Sequence, residues 1–191
     1  IDSSIRNDAQ LEDYSAMLYH YAEQYFKIVS SALDKHMPNH MYLGARFPDW
    51  GKPKEIVQAA AKHVDVMSYN VYKEEIHPQS WAFLEEIDMP SIIGEFHFGA
   101  RDNGLFHPGL IQAATQQDRA EMYKDYMYSV IDNPYFVGAH WFQYMDSPIS
   151  GRAYDGENYN VGFVNVTDTP YAPMVDAARE INGNMYSRRF K

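Results

Sequence analysis

The sequence contains no cysteine, which excludes disulfides, thiol nucleophiles and cysteine-ligated zinc. No apolar run approaches the roughly 20 residues that a membrane-spanning helix needs, so no bilayer span is expected. Basic residues are in deficit: 16 Lys and Arg stand against 26 Asp and Glu, a formal charge of −10. That balance argues against nucleic acid or an anionic membrane as partner. The opening residues Ile1 to Gln10 carry no basic stretch followed by an apolar one, so no signal peptide is visible, and no initiator Met stands there. Missing too are a His-Glu-x-x-His pair, an EF-hand loop and a Gly-x-Ser-x-Gly elbow. Gly151 to Gly156 has phosphate-loop spacing but continues Glu157-Asn158 instead of Lys-Ser/Thr. Neither a metal nor a cofactor is expected.

Aromatic residues are plentiful, at 15% with 16 Tyr. That suits a site stacking flat apolar faces of a neutral ligand such as a sugar, although ordinary core tyrosines account for much of the excess. Four short runs read as strands buried on both faces: Met41 to Phe47, Val64 to Tyr72, Ser91 to Phe98 and Tyr135 to Tyr144. Helical patterns alternate with them. Tyr14, Leu18, Tyr21, Tyr25, Ile28 and Ala32 form one stripe ahead of the first strand, read as a packing surface. Pro53 opens a second helix and Pro78 a short third; Gln117 to Asp132 is a fourth, stopped by Asn133-Pro134, and a fifth follows Pro173. This alternation predicts an α/β fold with a parallel sheet and right-handed crossovers. No linker divides the chain, so residues 1–191 are read as one unit. The long loops, Gly99 to Gln116 and Met145 to Pro173, follow strands, where α/β folds carry their sites.

The strand ends collect chemistry. The third run is small and apolar until Glu95, which is followed by Phe96-His97-Phe98. A carboxylate there costs desolvation unless it is paired or used. The second run ends in Ser68-Tyr69-Asn70-Val71-Tyr72, the fourth in His140-Trp141-Phe142-Gln143-Tyr144 and the first in Arg46-Phe47-Pro48. A mouth with a carboxylate, an Arg, phenols, an Asn, an imidazole and an indole suits glycoside hydrolysis.

The strings YLGARFPDWG, VMSYNVY, PSIIGEFHFGA, VGAHWFQYMDSPISGRAYDGENYNVGFVNVTDTPY and MYSRRF resemble the glycoside hydrolase family 50 β-agarases. The resemblance implies a TIM-type (β/α)₈ barrel of the large retaining-glycosidase clan, of which this chain would be the C-terminal half, strands five to eight with their helices. It implies a retaining hydrolase that cleaves β-1,4 links in agarose, with Glu95 as the strand-seven nucleophile. Tyr72 would hydrogen-bond that nucleophile, and Trp141 would stack beneath the sugar. Asn70, Arg46, His97, Gln143 and Asp155 would line the substrate site. The partner would be agarose or agaro-oligosaccharides, and the compartment secreted or periplasmic.

One departure accompanies the match. The family's acid/base Glu follows an Asn on strand four, and no Asn-Glu pair occurs in these 191 residues. Retaining hydrolysis needs two carboxyl groups about 5–5.5 Å apart. The acid is therefore expected upstream, and the isolated chain is expected to be inactive. The alternative reading is a non-catalytic agaro-oligosaccharide-binding fragment. Half a barrel would also leave open sheet edges, which invites self-association.

Overall fold

The computed structural model describes residues 7–103 and 107–191. Residues 104–106, within the long loop expected after the third strand, lie outside the described residues, as do 1–6.

Helix α1 (Asp8–His36) begins at a capping box in which the Asn7 side chain accepts from the Gln10 amide and the Gln10 side chain accepts from that of Asn7. Strand β1 (Arg46–Pro48) and helix α2 (Lys54–Ala60) follow, then β2 (Met67–Asn70) and the short α3 (Leu84–Ile87). Strand β3 (Ser91–Phe96) leads through β4 (Gly99–Ala100) and β5 (Gln112–Ala113) to α4 (Gln116–Asp132). Strand β6 (Phe136–Trp141) and α5 (Ala172–Arg189) complete the order. Strands β1, β2, β3 and β6 form one parallel sheet in that spatial order. The expected α/β alternation and parallel pairing are both present.

One face of the sheet carries the core. Phe47, Tyr69, Ile93, Phe96 and Phe136 are buried with Phe26, Val57, Trp81, Leu84, Tyr126, Met174 and Ile181 from the helices. Trp81 meets Tyr69 edge-on at 4.9 Å, and Phe96 stacks on Tyr126 at 4.3 Å and 7°. Each such pair contributes about 0.5–1.5 kcal/mol beyond area burial.

Two expectations change. The α1 stripe of Tyr14, Leu18, Tyr21, Tyr25, Ile28 and Ala32 is exposed, with Tyr21 at 74%. Residues 15, 19, 22 and 26, again four and three apart, form the face that packs. Ala22 and Phe26 are buried, Tyr19 is packed against the core, and the Ser15 hydroxyl donates to Glu55 of α2. A serine in that row disguises it as a polar one. The small pair β4–β5, also parallel, was not foreseen within the long loop. It brings Gly99 so close to the facing chain that a Cβ would sit 2.1 Å from the Pro108 carbonyl oxygen.

Gly99→Ala must therefore push backbone from backbone. We expect a loss of about 2 kcal/mol or more, measured by urea denaturation. An unchanged midpoint would show that this approach does not hold the loop.

Candidate active site

The site begins with an irregularity in β3. Ile93 pairs with Tyr69 and Glu95 with Asn70, so one step on β2 spans two residues on β3. Across β6, Ile93 pairs with Ala139 and Phe96 with Trp141, again one residue too many on β3. Gly94 and Glu95 are thus a β-bulge, which re-aims the side chain it carries. With regular alternation, Glu95 would share the core face of Ile93. The bulge turns Glu95 to the opposite face and returns Phe96 to the core. A Cβ at Gly94 would lie 2.7 Å from Asn70 Oδ1 and 2.8 Å from Ser68 Oγ, so any larger residue here displaces those two side chains.

Residues from two neighbouring strands hold the carboxylate. Arg46 of β1 donates to Glu95 Oε1 at 2.8 Å, and the Tyr72 hydroxyl, two residues beyond β2, donates to Oε2 at 2.7 Å. Burial pushes the Tyr72 phenol well above its ordinary range, and the bond to Glu95 and that group's charge push it further. The phenol therefore stays protonated and remains a donor. Both carboxylate oxygens are oriented by groups from different strands. Asn70 lies opposite Glu95 in register, with its Oδ1 buried and without a hydrogen-bond partner.

The expected substrate contacts divide. Glu95, Arg46, Tyr72 and Asn70 come together as described. Trp141 does not join them: Phe96 is its register partner, and its indole lies on the helix side, edge-on to Phe96 at 5.0 Å and Tyr123 at 5.5 Å. Its Nε1 donates to the Val161 carbonyl at 2.7 Å, and the buried Arg119 guanidinium sits 5.6 Å from the ring. The reason is a second irregularity. Ser91 and Ile92 pair with Phe136 and Gly138, so an extra residue in β6 shifts Trp141 onto the core face. Phe142, the next residue, lies 6.0 Å from His97 with Arg152 5.4 Å from its ring. Phe142 thus stands beside His97, whose ring also neighbours Tyr72, the hydrogen-bond donor to Glu95.

His97 is not a free substrate ligand either. It is 1% exposed, its Nδ1 lies 3.0 Å from the Phe142 carbonyl, and its Nε2 accepts from the Leu110 amide at 2.9 Å. Gln143 is half-buried and donates to Ser147 at 3.2 Å. Asp155 is drawn into its own loop, accepting from Arg152 at 3.1 and 2.6 Å and from the Glu157 amide at 3.1 Å. Its oxygens are spent within that loop, on Arg152 and the Glu157 amide.

Some residues escaped the sequence reading. Arg152 is hydrogen-bonded to Glu157 as well as Asp155, and the charge of Glu157 reaches Tyr72. No sequence signal marks that loop residue. Gly94 inside an apolar strand was such a signal, since a strand-interior glycine often marks a bulge. No group of three or more His, Asp or Glu side chains able to hold a metal occurs among the described residues. No described helix is long and apolar enough to cross a membrane. A cleft of about 390 Å³ lined by Ile76, Trp81, Ser129 and Pro134 involves none of the Glu95 partners.

No protein-family profile matches the chain. The β-agarase B of Vibrio sp. (strain JT0107) is 59% identical over 181 residues, which is 94% of this chain and 19% of that protein. A solved exo-β-agarase superposes at a TM-score of 0.96 with 67% identity, covering 99% of this chain and 26% of that one. The structure described as PfGH50B gives 0.95 and 66%, over 97% of this chain and 26% of its own. The chain thus spans about a fifth of the length of the curated relatives it matches. In sequence and fold the chain is therefore similar to a segment of these proteins. More narrowly, the similarity is to the family 50 β-agarases.

Burial lowers the His97 imidazole to about 4. Unfolded, it takes its proton near 6.5. Between those values the unfolded chain holds more protons, so stability is full above about pH 6.5 and falls as pH drops toward 4. The shift corresponds to a loss on the order of 3 kcal/mol. Denaturation midpoints across pH 4–7 measure it, and a His97→Gln variant that kept the full dependence would assign it to other groups.

Proposed function

We propose that this chain is the C-terminal half of a (β/α)₈ catalytic barrel in a β-agarase that hydrolyses agarose with retention. The observation that carries this reading is the Glu95 carboxylate, turned out of the core by a bulge and gripped by Arg46 and Tyr72. In the proposed reaction Glu95 attacks the anomeric carbon, the C–O bond to the leaving sugar breaks, and a glycosyl-enzyme forms. The leaving oxygen takes a proton from an acid upstream of these residues. Water, deprotonated by the same group, then releases the sugar and restores the Glu95 carboxylate. Arg46 and Tyr72 hold the attacking oxygens in place, which is where proximity and orientation act. Phe142, instead of Trp141, supplies an apolar face to the sugar in this reading.

Agarose or agaro-oligosaccharide is the proposed substrate, and a secreted or periplasmic compartment follows from a polymer that cannot enter a cell. The exo mode named for one solved relative depends on subsites contributed by the rest of the protein. Labelling the full-length protein with an activated fluorosugar, followed by peptide mapping, tests the nucleophile. The label is expected on Glu95, and Glu95→Gln is expected to lose activity roughly 10³-fold or more. A label on any other residue would sink the assignment.

A second reading applies to the 191 residues alone. The hydrogen-bond partners of Glu95 are Arg46 and Tyr72, with no second carboxyl among them. We infer that the isolated chain binds agaro-oligosaccharide without hydrolysing it and self-associates through β1, β6 and the exposed α1 stripe. Calorimetric binding, reducing-end assay and size-exclusion chromatography check this. Turnover near full-length rates that is abolished by Glu95→Gln, or a monomeric elution, would contradict it.

A further inference from the structure

We propose that His97 is a positioning residue, a neutral imidazole latch that sets the Tyr72 hydroxyl against Glu95 by tying three segments of the mouth together. The proposal rests on the reading of Glu95 as the nucleophile. Its hydrogen bonds define one protonation state. Nε2 accepts from the Leu110 amide at 2.9 Å, so that nitrogen is bare. Nδ1 lies 3.0 Å from the Phe142 carbonyl, an acceptor only, so Nδ1 carries the hydrogen. A single tautomer satisfies both, and an imidazolium would break the bond to Leu110.

What the ring touches is the catalytic apparatus. Tyr72 lies 4.6 Å away, centroid to centroid, at 58°, and its hydroxyl is the 2.7 Å donor to Glu95. Tyr159 meets the opposite side edge-on at 5.7 Å. Phe142, held through its carbonyl, has its own ring 6.0 Å from the imidazole. The loop after β3 approaches closely enough to donate to Nε2 because Gly109 has φ +77° and no side chain; a Cβ there would sit 2.7 Å from Nε2. His97 thus joins the end of β2, the loop after β3 and the end of β6, from a position two residues past Glu95. An imidazole that merely filled space would not need one nitrogen on each of two backbones.

The test uses the full-length protein that carries this chain, with agaro-oligosaccharide hydrolysis as the readout. His97→Phe keeps ring volume against Tyr72 but has neither donor nor acceptor. We expect kcat to fall roughly 10- to 100-fold, the scale of a misplaced group, with KM within about threefold. His97→Gln, whose amide offers a donor to Phe142 and an acceptor to Leu110, should recover the rate to within about threefold of the parent. The decisive readout is a cycle with Tyr72→Phe. If the latch acts through Tyr72, the double variant loses no more than the worse single variant. A double variant whose loss is the product of the two single losses would overturn the proposal, as would a lowered Tm with kcat unchanged. Should His97→Phe not fold, Gly109→Ala presses on Nε2 from the loop and is expected to lower kcat likewise; an unchanged kcat there also overturns it. Glu95→Gln is measured beside these. Full activity in that variant would unseat the nucleophile assignment, while the His97–Tyr72 coupling would still be read from its own cycle.

Discussion

Everything at the mouth depends on the bulge at Gly94 and Glu95. A parallel strand buried on one face by helices alternates its side chains, and regular alternation would send this carboxylate into the aromatic core. Burying an unpaired charge there would cost several kcal/mol at least. The extra residue solves this locally: Ile93 and Phe96 both stay in the core, and the residue before Phe96 faces the other way. The stack of Phe96 on Tyr126 fixes where the strand resumes, so the direction of Glu95 is set by packing on the opposite side of the sheet. β1 and β2 run parallel to β3; Tyr72 reaches the carboxylate from just beyond the end of β2, and Arg46 from the first residue of β1.

A buried cation supports the same arrangement from behind. Arg119 of α4 is fully buried, and it donates to the Phe98 carbonyl just past β3 and to the Gly162 carbonyl in the loop after β6. It also donates to Gln116 Oε1 and lies 5.6 and 5.3 Å from the Trp141 and Tyr171 rings. Burial lowers its pKa to about 10, which still leaves it cationic near neutrality. Asp146 sits in the same network, accepting from the Gly162 amide at 2.7 Å and the Tyr171 hydroxyl at 2.6 Å. Burial drives the Asp146 pKa up against those bonds. Desolvating such charges is costly unless their bonding is met, and a half-satisfied set is worse than none. Here the guanidinium ties the strand that carries Glu95 to the loop that carries Arg152 and Glu157.

Much of this architecture was legible in the order of residues. Alternating apolar runs and helical stripes specify a parallel α/β sheet, and strand ends in such sheets specify where to search. Glu95, Tyr72, Arg46 and Asn70 were found that way. Trp141, set beneath the sugar by the family resemblance, lies on the core face, because one extra residue in β6 shifts it there. Parity from sequence is only as good as the absence of bulges. The α1 face failed differently, since Ser15 occupies a packing row and hydrogen-bonds Glu55 instead of burying a methyl.

His97 shows a harder limit. Its two partners are a carbonyl and an amide of the backbone, groups that every residue carries, so no side-chain pattern announces them. An imidazole near a carboxylate invites a reading as acid, base or sugar ligand, and sequence offers nothing against it. The geometry does. Both nitrogens are committed, the ring is buried, and burial disfavours the charged form. Such a group cannot also exchange protons with a substrate without breaking the contact that holds Phe142 or Leu110. What it does is keep one tautomer, and hence one arrangement of the three segments it joins.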